Sequence, residues 1–344
     1  MKKPTMQMIA DAVGVSRITV WKVLNNRPGV SHLLQNQILE AAVKMGYPAL
    51  EAIAQSPASA PASRKSDSYT ISVVVSRPDS SAFWMNIIHE IAKVASQKDC
   101  SVLYTYVPSE ITENYELPPA LTNGAVQGMI VLNIYDTRLL ALLNRLPIPK
   151  VFLDCVSDFP IDSLTGDLVL LEGKHSIQQI TDTLIRKGRR RIGFIGDIHY
   201  ALTNQMRYEG YLSSMKSHGL PVEEKFCLTS PIGIQSYISK IHSFLDALDV
   251  LPDAFVCVSD FVASCVYQYL SAHNQSVPGD IALSGYDNTM EYLEISDWLT
   301  TVDVNTPAVG IRLFYQLGYR IENPAANFET IYLNPEIIYR KSTG

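Results

Sequence analysis

The chain has 344 residues, 47% of them hydrophobic, enough for two or three domains with cores of their own. Its formal net charge of -6 argues against nucleic acid as a partner of the chain taken as a whole. The N-terminal MKKPTMQMIA holds no secretory apolar region, and no apolar run approaches the ~20 residues of a membrane span. Five cysteines (Cys100, Cys155, Cys227, Cys257 and Cys265) without a CxxC pair read as reduced thiols of a cytoplasmic protein, not as disulfides or a metal site.

In chain order, the first organised stretch is TMQMIADAVGVSRITVWKVLNN, Thr5 to Asn26. Thr5 can N-cap a helix whose Ile9, Ala10 and Val13 form one apolar stripe, and Gly14 can end that helix in the left-handed region. Ser16 is a second N-cap, opening a helix from about Arg17 to Leu24. Val20, Val23 and Leu24 then face inward, and Arg17, Ile18, Trp21 and Lys22 face out. By pattern alone this fits any small helical hairpin, including one that inserts its second helix into a DNA major groove. Charge favours the latter. Residues 1–50 carry Lys2, Lys3, Arg17, Lys22, Arg27 and Lys44 against Asp11 and Glu40, a net +4, which leaves -10 on the remainder. A basic unit on an acidic body suits an end that meets phosphates, and so modest a charge implies dimerisation.

The run AVGVSRITVWKVLNNRPGVS resembles the DNA-binding headpiece of LacI/GalR-type transcription repressors, whose usual form is A-x-x-A-G-V-S-x-x-T-V-S-x-V-L-N. The similarity continues through VSHLLQNQILEAAVKMGY, the family's third helix, with Gly46 as its C-cap. It implies that Arg17, Ile18 and Lys22 read bases, an arginine or lysine suiting guanine and an isoleucine a thymine methyl. Thr5, Ser16, Thr19, Asn25 and Ser31 would touch or orient toward phosphates, and Tyr47 is counted with the DNA-contacting set. Trp21 stands where the family has a phosphate-touching serine. It can press on the sugar-phosphate backbone or pack on the third helix.

YPALEAIAQ and then SPASAPASRKS (Ser56 to Ser66) follow, the latter a Pro/Ala/Ser linker. The family places there a hinge helix with a leucine wedge for the minor groove. Here Ser56 takes that place, with Gln55 one residue away, so the usual coupling to DNA is in question. The expected organisation is a DNA-binding domain at 1–56, a linker at 57–68 and a core at 69–344.

From Tyr69 the chain alternates short Val/Ile/Leu runs (69–76, 100–107, 128–134, 149–156, 190–197, 253–260 and 281–288) with helical stretches at Phe83–Ser96, Leu139–Leu146, Lys174–Lys187, Gln205–His218, Ser236–Leu248 and Phe261–His273. Continuous apolar strands between helices mean parallel sheets covered on both faces, and so many strands need two sheets. The expected fold is an all-α helix-turn-helix headpiece joined to an α/β two-lobed core of doubly wound parallel sheets. The resemblance implies a periplasmic-binding-protein-like core. Its first lobe spans about 69–165 plus 303–330, its second 166–302 plus 331–344, and ETIYLNPEIIYRKSTG supplies a closing strand pair.

In such sheets ligands sit at the carboxyl ends of strands. The resemblance places an effector between the lobes. It implies Phe83 and Trp84 as stacking aromatics and Asp154 and Thr203 as polar lining. Arg207 would hold hydroxyls or a carboxylate, Ser259 would replace a common asparagine, and Asp287, in SGYDNT, would accept from sugar hydroxyls. From the residues alone, Phe83 and Trp84 are equally core packing, Asp154 a helix or turn cap and Arg207 a surface ion pair. A pair of carboxylates beside aromatic rings suits a small sugar or polyol.

Other signals lead nowhere. His89-Glu90 is followed by Lys93 and makes no zinc motif. Gly193 and Gly196 in GFIGD lack the third glycine of a dinucleotide fingerprint and read as tight packing. KGRRR (187–191) reads as a solvated helix end against the dipole, and no nucleophile elbow is present. The expectation is a non-enzymatic, cofactor-free homodimeric repressor that binds palindromic double-stranded DNA under control of a small carbohydrate. The alternatives are a carbohydrate receptor without a DNA role, or a regulator whose effector is no sugar.

Overall fold

In the computed structural model, residues 4–24, 30, 32–45, 47, 69–76, 82–233 and 236–344 are described. The chain divides into two compact units between Asp67 and Ser68. Asn25, Ser31 and the linker with Ser56 lie outside the described residues.

The first unit contains α1 (Met6–Val13), α2 (Arg17–Leu24) and α3 (His32–Lys44). The Thr5 hydroxyl accepts from the Met8 N–H at 3.4 Å and the Ser16 hydroxyl from the Thr19 N–H at 3.1 Å, so α1 and α2 each start on a side-chain cap. Gly14, at φ 72°, turns the chain out of α1, and the Val15 N–H closes onto the Ala10 carbonyl at 2.9 Å. Ile9, Ala10, Val20, Ile38 and Ala42 are fully buried where the three helices meet.

The second unit begins with β1 (Thr70–Val75), α4 (Ala82–Ser96), β2 (Ser101–Tyr106), α5 (Pro119–Thr122), β3 (Gly128–Leu132), α6 (Thr137–Asn144), β4 (Lys150–Leu153) and β5 (Asp167–Leu171). It continues through α7 (Lys174–Arg186), β6 (Ile192–Ile195), α8 (Leu202–Ser217), β7 (Cys227–Leu228), α9 (Tyr237–Asp246), β8 (Ala254–Cys257), α10 (Asp260–Ala272) and β9 (Ala282–Ser284). The last elements are β10 (Thr301–Asp303), α11 (Thr306–Glu322), β11 (Thr330–Leu333) and β12 (Glu336–Ile338).

Two parallel sheets result, in the orders β11-β5-β4-β3-β1-β2 and β7-β6-β8-β9, while β10 and β12 form a separate antiparallel pair. The inner strands β3, β4, β5, β6 and β8 are buried along their whole length, which is why, apart from Lys150 and Asp167 at the starts of β4 and β5, their sequences are apolar runs. Gly193 and Gly196 at β6 are required by proximity. A Cβ on the first would stand 2.4 Å from the Phe226 carbonyl oxygen, and one on the second 2.4 Å from the Val258 Cβ.

The structure corrects the expected lobe boundaries. The first lobe does not end at residue 165, because β5 pairs with β4 (Val151 beside Asp167) and is buried inside the first sheet. Nor does the final return to the second lobe begin at 331: β11 pairs with β5 (Thr330 beside Leu168) on the first sheet. β11 and β12 therefore do not pair with each other. The chain crosses between lobes after β5, after β10 and after β11. The long helix α11 had no counterpart among the expected helices. Asn305 caps it, accepting from the Ala308 N–H at 3.2 Å, and Val309, Leu313, Phe314 and Leu317 bury one face against the first lobe.

A buried ion pair ties α11 to β5. Arg320 Nη2 and Nε donate to the Asp167 carboxylate at 2.6 and 3.1 Å, and Gln316 Nε2 and the Glu329 N–H donate to it as well. The KGRRR segment is also structural, not merely solvated. Arg189 donates to the Pro278 and Asp280 carbonyls, Arg190 to the Ile185 carbonyl, and Arg191 pairs with Asp253 at 3.0 Å.

Candidate functional site

On the three-helix unit, the outward side of α2 carries the residues singled out for base contact. Arg17 is exposed, Ile18 is 68% exposed and Lys22 is half-buried. Trp21 keeps 44% of its surface open, so α3 does not bury it. An isoleucine this exposed has no packing role within the unit. The Ser16 and Thr19 hydroxyls are 2.8 Å apart, and the Ser16 and Thr5 hydroxyls also cap the helix starts. Tyr47 is half-buried and packs its ring against the hydrophobic core of the unit.

In the second unit, Phe83, Trp84, Asp154, Thr203, Arg207, Ser259 and Asp287 all line one cavity of about 320 Å³ between the lobes. They reach it from both sheets. Phe83 and Trp84 stand in the first turn of α4, with ring centres 5.0 Å apart and planes at 84°, an edge-to-face pair and not a stack. Asp154 follows β4, Thr203 and Arg207 lie on α8, Ser259 caps α10 by accepting from the Val262 N–H at 3.3 Å, and Asp287 follows β9.

The polar groups fall into two kinds. Asp154, 9% exposed and left-handed at φ 65°, has a filled carboxylate. One oxygen accepts from the Cys155 and Thr203 N–H groups at 2.8 and 3.3 Å, the other from the Thr203 hydroxyl at 2.5 Å and the Tyr135 hydroxyl at 3.3 Å. The cap reading of this residue is the one its contacts satisfy: from the first lobe it caps the start of α8 in the second. Burial raises its pKa against the opposing pull of these donors. Thr203 spends its hydroxyl on the same latch. Beside it the Leu202 N–H donates to the Cys155 carbonyl at 2.8 Å and the Ser157 hydroxyl to the His199 carbonyl at 2.9 Å.

Arg207 and Asp287 are of the other kind. Arg207 is 6% exposed, lies 3.6 Å from the centre of the Tyr286 ring and donates through Nη1 to the Val258 carbonyl at 2.8 Å. Its Nε is buried without a partner, and among the described residues no carboxylate lies within 4 Å of it. The surface ion pair open to it from sequence alone is therefore not formed among the described residues. Asp287 sits at φ 111°, held by its own N–H to the Val302 carbonyl at 2.9 Å. Burial pushes its carboxyl up to about 8; Arg207 opposes the rise and Asp260 and Glu291 add to it. A carboxyl whose pKa burial raises and a guanidinium with its Nε unused therefore share one cleft, a set that can bind hydroxyl, carbonyl or carboxylate oxygens.

Sequence reasoning missed most of the aromatic lining. Tyr135, Tyr200, Tyr237, Phe261 and Tyr292 join Phe83 and Trp84, and Asn133, Asn204, Thr289 and Glu291 complete the polar wall. Tyr135 and Tyr200 approach from opposite lobes, with ring centres 4.3 Å apart. Several of these residues immediately follow a strand, and that position was the only local signal. Among the described residues no cluster of His, Cys, Asp and Glu could hold a metal, and no helix is long and apolar enough to cross a membrane.

Comparison with known proteins yields two family matches: residues 5–49 fit "Bacterial regulatory proteins, lacI family" and residues 181–343 fit a periplasmic binding protein-like domain. Over 341 residues the chain is 25% identical to the HTH-type transcriptional repressor PurR of Actinobacillus pleuropneumoniae serotype 3 (strain JL03), covering 98% of each protein. In fold it is similar to a transcriptional regulator CelR–cellobiose complex, with a TM-score of 0.71 and 22% identity over 99% of this chain and all of that one. It is also similar to the lac repressor dimer bound to operator and the anti-inducer ONPF, with a TM-score of 0.67 and 19% identity over 99% of each chain.

Proposed function

The chain belongs to the LacI family of bacterial regulatory proteins, and from that premise we propose that it is a transcriptional repressor whose grip on operator DNA is set by a small carbohydrate bound between its core lobes. The observation that carries the effector half is the interlobe cleft, where Asp287 and Arg207, whose Nε has no partner among the described residues, face a cavity walled by aromatic rings. Vicinal hydroxyls bridge a carboxyl and a guanidinium, and the flat apolar faces of a sugar ring suit tyrosine and tryptophan.

The DNA half rests on α2. Arg17, Ile18 and Lys22 on its outward side supply a guanine donor, a thymine-methyl contact and a second cation. One headpiece of net charge +4 gives few phosphate contacts, so a dimer reading two half-sites supplies the affinity. The lac repressor structure is a dimer bound to operator, and the CelR structure is a complex with cellobiose.

The test is fluorescence anisotropy of the full chain on the DNA upstream of its own coding region, titrated with sugars. Saturable binding, stronger than to scrambled DNA and reversed or enhanced by a sugar, is the expected result. Equal affinity for scrambled DNA would defeat the operator half, and indifference to every mono- and oligosaccharide the effector half.

A further inference from the structure

A second cavity of about 960 Å³ adjoins the first and shares Asn133, Tyr135, Tyr200 and Tyr237 with it, so the two are compartments of one cleft. The Tyr135–Tyr200 pair stands on the boundary, with one ring from each lobe. The outer compartment is built from the loops after β2, β3, β6 and β7, and one further aromatic, Tyr106 at 57% exposed, faces it.

Its charge differs from that of the inner compartment. Among the described residues, Glu110, Asp136 and Asp197 line it against one cation, Arg138. That guanidinium is engaged already, donating to the Ile111 carbonyl at 2.7 Å and lying 3.5 Å from Asp136. Asp197 is 95% buried, and each of its oxygens accepts one backbone N–H, from His199 at 2.9 Å and Ile232 at 3.2 Å, which leaves acceptor capacity on both. A wall of acceptors and aromatic faces with excess negative charge suits hydroxyls and repels phosphate.

Resting on the carbohydrate reading above, we infer that the effector is an uncharged oligosaccharide of at least two rings. Its first ring lies against Arg207 and Asp287, and its second passes Tyr135 and Tyr200 into the outer compartment beside Tyr106 and Asp197. An inner compartment about a third the size of the outer one is the smaller part of the site. A monosaccharide leaves the larger part unused.

The test is isothermal titration of the full chain with glucose, galactose, cellobiose, maltose, lactose, trehalose, trehalose 6-phosphate, cellotriose and maltotriose, repeated on Tyr106→Ala. At least one unphosphorylated di- or trisaccharide should bind about tenfold or more tightly than its constituent monosaccharide, and Tyr106→Ala should remove most of that gain. A monosaccharide that binds as tightly as every oligosaccharide, or a gain untouched by Tyr106→Ala, overturns the two-ring inference and leaves the carbohydrate reading standing. Tightest binding by trehalose 6-phosphate overturns the uncharged class. Absence of binding by every sugar overturns both readings together.

Discussion

Among the residues of the cleft, Asp287 owes much of its chemistry to its surroundings. Its carboxyl keeps its proton up to about pH 8 in the folded chain, whereas an unfolded aspartate loses it near 4. The folded state therefore binds the extra proton between those values, and stability falls as pH rises from about 4 to about 8, then levels off. Asp260, raised to about 6, acts in the same direction, so the variant Asp287→Asn isolates the effect. Thermal unfolding between pH 5 and 9 should show a shallower decline in Asp287→Asn than in the parent chain; parallel curves would contradict the assignment. On α2, Arg17→Ala should weaken preference at one operator position by roughly 1–3 kcal/mol. Competition among operators substituted one base pair at a time measures this, and uniform weakening at all positions would make Arg17 a phosphate contact.

At the scale of elements, the helix boundaries of the first unit follow from short-range chemistry. Thr5, Ser16 and Gly14 each act within four residues of their own position, and such signals are legible in a sequence. The tie between α11 and β5 is the opposite case, joining residues 153 positions apart. Arg320→Met would leave the Asp167 carboxylate buried with no cation, and should cost about 3–5 kcal/mol of core stability. Urea unfolding followed by far-ultraviolet circular dichroism checks this, and a loss below about 1 kcal/mol would mean that Gln316 and the Glu329 amide suffice. The strand β5 escaped sequence reading for the same reason. DLVLL is a short apolar run, and only its partners β4 and β11 reveal that it belongs to the first sheet.

At the scale of the core, the lobes are joined by three crossings and by the latch in which Asp154 caps α8 across the cleft. Thr203→Val keeps the side-chain shape and removes the hydroxyl donor, so the closed arrangement loses one charge-assisted hydrogen bond. Effector affinity should fall by about tenfold if closure and binding are coupled, as a bond of about 1.5 kcal/mol would require. Calorimetry with whichever sugar binds the parent chain measures it, and unchanged affinity would show the latch to be independent of the ligand.

By itself the sequence determined the three-helix headpiece, its basic charge and the alternation that demands two parallel sheets, because these depend on spacing and on neighbours a few residues away. The family resemblance carried by its motifs also singled out the seven residues, from Phe83 to Asp287, that come to line one cavity. Only the tertiary structure decided which strands adjoin, where the chain crosses between lobes, that Asp154 is occupied by a latch, and that Tyr106, Tyr135, Tyr200 and Tyr237 extend the cleft outward. Those properties arise where the ends of distant strands converge, and no local pattern encodes which loops will meet.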